Sequence, residues 1–147
     1  MIAGAVIMFG SVFNEARAAG RWETLEAIHS IENPMNVREP GRYGELGAYQ
    51  FRAETWRRYT RLPFERALDR SCSDEVAVQH YEWLKAGLER NGIEASVYNI
   101  ALAWNAGIGA VLRGRVPAAS RDYATRVENI ATELQARAPR LEVAFAH

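Results

Sequence analysis

The segment Val97–Ala106, which reads Val-Tyr-Asn-Ile-Ala-Leu-Ala-Trp-Asn-Ala, is apolar on almost every face of a helix. Only Asn99 and Asn105 interrupt its apolar surface. A helix that is apolar all round is normally buried by its neighbours. The segment therefore predicts a central buried helix, around which the rest of the chain has to pack.

Helical patterns with strong punctuation fill most of the remaining chain, and neither a long alternating strand pattern nor an internal repeat is present. We expect further helices at Arg21 to Glu32, at about 53 to 60, at Pro63 to Leu68, from a cap at Ser73 or Asp74 to about 90, and at about 119 to 137. The glycine- and proline-rich stretch 36–47 predicts a loop or small hairpin. The sequence thus predicts a mainly α fold.

The composition limits the kinds of partner. At 147 residues, 48% of them hydrophobic, the chain has the size of one domain with its own core. Eighteen basic and eighteen acidic residues give zero formal charge, so no nucleic-acid partner is expected. Cys72 is the single cysteine and the three histidines lack zinc-ligand spacing, so we expect no metal and no cofactor. We also expect a monomer.

The first thirteen residues carry no charge. This run is too short to span a bilayer, but it suits a secretory signal, and Ala16-Arg17-Ala18 has the form of a cleavage site. No basic residue precedes the run, and an N-terminal apolar helix docked on the core is the alternative. We expect residues 1–20 to be a signal peptide or such a helix, residues 21–137 to be the folded domain, and residues 138–147 to be a tail.

Glu32 is a candidate general acid. On a helical wheel it falls between Leu25 and Ile28, so it points toward the core from the last turn of its helix. Burial and the negative end of the helix dipole should both raise its pKa, and a general acid has to be protonated. The alternative is a glutamate that is solvated or paired with an arginine. His29, one turn earlier, is expected to be partly exposed.

Two glycines and a glutamine follow Glu32 at regular offsets. Gly44, Gly47 and Gln50 stand 12, 15 and 18 positions downstream. Glycines permit tight turns and close approach of a ligand, and a glutamine amide can both donate and accept hydrogen bonds. This pattern indicates a binding loop after the first helix.

Four runs, in this order, resemble the soluble lytic transglycosylase family of the lysozyme-like superfamily. They are Ile31-Glu32-Asn33-Pro34, Gly44-Glu-Leu-Gly47-Ala-Tyr-Gln50-Phe51, Ala103-Trp-Asn-Ala-Gly107-Ile-Gly109 and Tyr123-Ala-Thr-Arg-Val127. The resemblance covers about Trp22 to Ile130. The chain departs from the family pattern at Asn33, where serine is usual, at Ala48-Tyr49, where Leu-Met is usual, and at Trp104, where tyrosine is usual.

The resemblance implies a lysozyme-like helical domain, with a small loop or hairpin region after the catalytic helix, that cuts peptidoglycan glycan strands between N-acetylmuramic acid and N-acetylglucosamine. Family members use one carboxylic acid, which protonates the leaving oxygen and then acts as base on the C6 hydroxyl, closing a 1,6-anhydro ring. The resemblance implies that Glu32 is this acid and that the substrate-binding residues are Tyr49, Gln50, Asn105 and Tyr123. The Tyr123 hydroxyl would lie near Glu32.

A different reaction or a different class of protein is also compatible with the sequence. Ordinary glycoside hydrolysis uses two carboxylates, and Glu45 is the best of the possible second acids Glu39, Glu45 and Glu54; if it faces Glu32, a hydrolytic muramidase is the better interpretation. A non-catalytic peptidoglycan-binding module would keep the groove without the reaction. A helical interaction protein would carry the motifs by chance.

The candidate binding residues could also have purely structural roles. Asn105 would then cap the turn at Gly107, and Tyr123 would pack in the core. Of Tyr49 and Phe51, one is expected in the groove and one in the core. Because a wall-cutting enzyme has to reach the wall, we expect export to the periplasm or cell envelope; the alternative is a cytoplasmic protein without a cleaved signal.

Overall fold

The computed structural model describes residues 20–138, which form six α-helices and one short 3₁₀ helix. The α-helices are α1 (Arg21–Glu32), α2 (Ala53–Tyr59), α3 (Arg70–Arg90), α4 (Val97–Ala106), α5 (Ile108–Leu112) and α6 (Ala118–Arg137), and the 3₁₀ helix Phe64–Leu68 lies between α2 and α3. Residues 20–138 contain no strand beyond an isolated bridge, so the mainly α class is confirmed. The predictions for the opening segment and the tail fall almost wholly on residues 1–19 and 139–147, outside the described residues.

Helix α4 lies at the centre of the fold, as its composition predicts. It packs against α1, α3, α5 and α6, and its middle residues Ile100 to Ala103 are buried. The Ser96 hydroxyl caps its first turn by accepting a hydrogen bond from the Asn99 N–H. Toward its C-terminus the burial ends, because Trp104 is only half-buried and Asn105 is exposed. This end of the helix is therefore accessible to solvent.

Helix α3 carries a buried apolar stripe along its length. Its members Ala77, Tyr81, Leu84 and Leu88 recur at helical spacing and are all buried. The helix stops before Gly92, whose φ of +70° is the left-handed conformation that glycine adopts without strain.

Among residues 20–138, no helix is long and apolar enough to cross a membrane.

The predicted start of α3 is wrong by about one turn. The helix begins at Arg70, because the Asp69 carboxylate accepts a hydrogen bond from the Cys72 N–H at 3.1 Å and so caps the first turn. The predicted caps, Ser73 and Asp74, lie inside the helix. Several residues able to cap follow one another here, so the local pattern does not distinguish among them.

The loop between α1 and α2 folds back as a small hairpin. Leu46 and Phe51 form the isolated antiparallel bridge, and Gly47 opens the turn between them with a φ of +80°. The Asn33 amide ties the hairpin to the end of α1, because its nitrogen donates to the carbonyl oxygens of Val37 and Gly47 and its oxygen accepts from the Val37 N–H. The predicted loop or hairpin region is thus present, and it lies directly beside Glu32.

Candidate active site

A cleft of about 460 Å³ opens where the end of α1, the hairpin, α3 and the end of α4 meet. Its lining combines carboxyl and amide groups with aromatic rings, and it includes Glu32, Glu45, Tyr49, Gln50, Phe51, His80, Trp104 and Asn105. A concave surface with aromatic walls and a few convergent polar groups is the usual form of a small-molecule or saccharide site. We therefore take this cleft as the candidate active site.

Glu32 is the last residue of α1 and is half-buried at the cleft. Burial raises the pKa of its carboxyl group above the usual value, and the nearby negative charge of Glu45 raises it further. A hydrogen bond from Tyr123 acts in the opposite direction without reversing the shift. The carboxyl group is therefore biased toward its protonated form, as a general acid requires.

Tyr123 reaches Glu32 from α6, which packs against α1. Its hydroxyl donates a hydrogen bond to Glu32 Oε1 at 2.8 Å, so the predicted proximity is confirmed. Burial and the neighbouring Glu32 charge raise the pKa of the Tyr123 phenol far above its usual value. The phenol consequently keeps its proton and serves as a permanent donor to the carboxyl group.

Glu45 lines the same cleft from the hairpin. Its side chain is only 15% exposed, and its Oε1 lies 3.6 Å from Arg52 Nε. Its Oε2 accepts a hydrogen bond from the Tyr43 N–H at 2.9 Å. A second carboxylate is thus held near Glu32, whereas Glu39 and Glu54 are exposed and do not line the cleft.

Gln50 lines the cleft from the fourth position of the hairpin turn. Its φ of +48° is unusual for a residue with a side chain, and its amide nitrogen donates to the Gly47 carbonyl oxygen at 3.0 Å. The amide oxygen has no hydrogen-bond partner among residues 20–138 and is not completely buried. Gln50 therefore closes its own turn and still offers an acceptor to a ligand.

Tyr49 and Phe51 are both buried, each with 3% exposure, and only parts of their rings reach the cleft floor. The expectation that one lies in the groove and the other in the core is wrong. The Tyr49 hydroxyl donates to Asp74 Oδ1 at 2.6 Å, so it is engaged away from the cleft. Tyr49 is therefore a floor residue packed against Trp104, whose ring centroid lies 6.1 Å away, and its hydroxyl is not a free sugar-binding group.

Asn105 is exposed at the end of α4 and lines the cleft. Within the described part of the chain, its side chain makes no capping hydrogen bond to the turn at Gly107, which adopts a φ of +82° unaided. The capping role is therefore not observed. The amide of Asn105 is free to meet a ligand.

Two histidines differ from expectation. His29 is buried rather than partly exposed, because Asn36 and Glu26 hydrogen-bond its ring at 3.0 and 3.3 Å and Arg70 closes over it. His80 lines the cleft, although no motif in the sequence pointed to it. The available signal for His80 was its place on α3, one turn from the buried residues Ala77 and Leu84.

No group of three histidine, cysteine or acidic side chains that could hold a metal ion occurs between residues 20 and 138. Comparisons of the chain with protein-family models, with curated proteins and with solved structures gave no significant match.

Proposed function

We propose that the protein is a peptidoglycan lytic transglycosylase of lysozyme-like fold, in which Glu32 is the catalytic residue. The observation that carries this proposal is the half-buried Glu32 carboxyl group, with its raised pKa, at the wall of an aromatic cleft. A protonated carboxyl group beside a saccharide-sized groove is suited to breaking a glycosidic bond. The ordered motifs shared with the soluble lytic transglycosylases point to the glycan strand as substrate.

The reaction proceeds in two proton transfers. Glu32 first gives its proton to the glycosidic oxygen, and the bond from that oxygen to C1 of N-acetylmuramic acid breaks. The Glu32 carboxylate then takes the proton of the C6 hydroxyl as the C6 oxygen bonds to C1, which closes the 1,6-anhydro ring. No water is consumed, and the enzyme ends with Glu32 protonated again.

Tyr123 supports the step in which Glu32 is charged. Its hydroxyl already donates to Glu32 Oε1, so the carboxylate formed after the first transfer has a donor in place without rearrangement. Gln50 and Asn105 both line the cleft and offer amide groups to the sugar. The proposed activity needs no cofactor and no metal, acts in a monomer, and requires export to the periplasm or cell envelope, where peptidoglycan lies.

A hydrolytic muramidase is the second candidate, and Glu45 is the observation that favours it. A second carboxylate in the cleft could activate a water molecule, as in two-carboxylate glycosidases. Against this role, both Glu45 oxygens already have partners, Arg52 and the Tyr43 N–H. We therefore rank the single-acid reaction first.

Digestion of purified sacculi followed by mass spectrometry tests the proposal. We expect muropeptides that end in anhydro-muramic acid, one water lighter than hydrolysis products, and we expect the Glu32→Gln variant to release none. Glu54→Gln is the matched control, since Glu54 is exposed and does not line the cleft. Products with reducing ends would establish the muramidase instead. Sacculus binding without any product, unchanged by Glu32→Ala, would establish a binding module.

A further inference from the structure

His80 lies in the cleft wall, and the proposed reaction gives it no role. It extends from α3 into a group of aromatic rings, with its centroid 4.6 Å from Trp104, 5.5 Å from Tyr59 and 6.0 Å from Trp83. The Trp83 ring stacks on it at an interplanar angle of 12°, whereas Trp104 meets it edge-on. These contacts fix the orientation of the imidazole ring.

The hydrogen bonding of His80 determines which of its nitrogens carries the proton. The Tyr59 hydroxyl oxygen lies 2.8 Å from His80 Nδ1. Burial raises the pKa of the Tyr59 phenol, and the positive charge of the Arg58 guanidinium opposes that rise. The positive charge of Arg58 attracts the lone pairs of the Tyr59 hydroxyl oxygen. The hydroxyl hydrogen therefore points away from Arg58 and toward His80 Nδ1. Nδ1 is therefore the acceptor, and Nε2 carries the hydrogen.

The imidazole stays neutral at ordinary pH. Burial lowers the pKa of His80 to about 4, and the positive charge of Arg58 acts in the same direction. His80 Nε2 has no hydrogen-bond partner among residues 20–138, and it is not completely buried. The cleft wall thus presents a neutral N–H donor with no partner in the protein, beside the half-buried ring of Trp104.

A neutral donor next to an aromatic ring complements a particular chemical group. A carboxylate or phosphate is bound better by a charged donor, and the neutral imidazole of His80 is not one. An acetamido group instead combines a carbonyl oxygen, which accepts one hydrogen bond, with an apolar methyl group. We propose that His80 is a specificity-determining residue, whose Nε2–H donates to the acetamido carbonyl oxygen of an N-acetylated sugar while Trp104 contacts the methyl group. This inference rests on the proposed function, because it takes an amino-sugar strand as the occupant of the cleft.

Binding to two neutral oligosaccharides tests the inference separately from catalysis. Chitohexaose carries an acetamido group on every sugar, and cellohexaose carries a hydroxyl at the same position. Titration calorimetry with the Glu32→Gln variant measures both affinities without turnover. We expect chitohexaose to bind at least about tenfold more tightly, the ratio that one hydrogen bond of ordinary strength supplies.

Substitutions at His80 are then introduced into the Glu32→Gln background. His80→Phe keeps an aromatic ring without the donor, and it should reduce the preference for chitohexaose by about tenfold while leaving the affinity for cellohexaose unchanged. His80→Gln places an amide N–H near the position of Nε2 and should restore most of the preference. Gln79→Ala, at an exposed neighbour on α3, is the control and should change neither affinity.

An NMR measurement on the protein with native His80 guards against variants that fail to fold. The ¹⁵N resonance of His80 Nε2 should be of the protonated, neutral type and should shift when chitohexaose is added. Three outcomes would overturn the inference. His80→Phe could weaken the binding of both oligosaccharides equally, it could leave the preference for chitohexaose unchanged, or chitohexaose could fail to bind at all. If the wild-type protein releases no anhydro products from sacculi but the preference for chitohexaose over cellohexaose is present, the proposed function alone is overturned.

Discussion

The hydroxyl of Tyr123 donates a hydrogen bond to Glu32 Oε1 at 2.8 Å, across 91 positions of the chain. The contact exists because α1 and α6 pack side by side next to the central helix α4. Glu32 is consequently subject to opposing effects, since burial and Glu45 raise its pKa and the Tyr123 hydrogen bond lowers it. The charge effect belongs to Glu45 and the hydrogen-bond effect to Tyr123, so these two can be removed separately.

Replacing Tyr123 with phenylalanine removes the effect that lowers the Glu32 pKa. We expect the pKa of Glu32 to rise further, so that the acid stays protonated to higher pH. The alkaline limb of the pH profile of the proposed activity should then move to higher pH. Loss of the hydrogen bond should also cost about 1 kcal/mol of stability. The pH profile of sacculus solubilisation and urea unfolding measure the two effects. Tyr98→Phe, outside the cleft, is the control, and a shift of the limb to lower pH would contradict the prediction.

Replacing Glu45 with glutamine should move the alkaline limb of the pH profile to lower pH. The nearby negative charge is lost, so the pKa of Glu32 falls and the acid deprotonates at lower pH. Under the single-acid reaction, the products keep their anhydro ends and the rate at the new optimum falls only modestly.

If Glu45 is instead a catalytic base, the substitution should lower the rate by about a hundredfold or more at every pH. Rate measurements across the pH range, with mass analysis of the products, separate these outcomes. Glu54→Gln again serves as the control for loss of a carboxylate.

Gly47 and Gly44 form a matched pair for testing the hairpin. Their φ angles are +80° and +81°, but a Cβ at Gly47 would lie 1.9 Å from the Ala67 carbonyl oxygen, whereas at Gly44 it would meet nothing within 4 Å. Gly44→Ala should therefore cost about 1 kcal/mol from backbone strain alone. Gly47→Ala should cost at least about 3 kcal/mol, because backbone has to move. Equal free energies of unfolding in urea for the Gly44→Ala and Gly47→Ala variants would show that the hairpin does not pack as described.

His80 should make the protein less stable in acid. Its pKa falls from 6.5 to about 4 on folding, so the stabilisation is complete above pH 6.5 and is lost as the pH falls through 4. The loss is at most on the order of 3 kcal/mol. His80→Phe cannot gain this proton, so the difference in unfolding free energy between wild type and variant should shrink or reverse between neutral pH and pH 4. Urea unfolding across that range measures it, and a constant difference would argue against a buried neutral imidazole.

Much of the helical framework could be predicted from local pattern. The α3 stripe of Ala77, Tyr81, Leu84 and Leu88 follows helical spacing, and the glycine stop at Gly92 reflects a conformation that other residues avoid. The start of α3 could not be predicted, because Asp69 competes for the cap with several similar residues. Whether Asp69 serves as the cap depends on how the chain leaves the preceding 3₁₀ helix.

The site divides in the same way. The place of Glu32 at the end of α1 was predicted from the sequence. Its nearness to Tyr123 was expected only from the resemblance to the soluble lytic transglycosylases, and the structure contains the contact. The burial of His29 could not be predicted, because Arg70 covers it from a helix 41 positions away. The position of Tyr49 could not be predicted for a similar reason, since Asp74 on α3 takes up its hydroxyl.

Apart from the first turn of α3 and the short helix α5, the sequence by itself determined where helices form and where glycine turns interrupt them. Those features depend on sterics and hydrogen bonding within a few residues. Only the tertiary structure decided which polar groups share the cleft. Glu32, Glu45 and His80 line it from α1, the hairpin and α3, Tyr123 reaches Glu32 from α6, and no local pattern relates their directions. Their pKa values depend on burial and on neighbouring charges, and both are created only when those elements pack together.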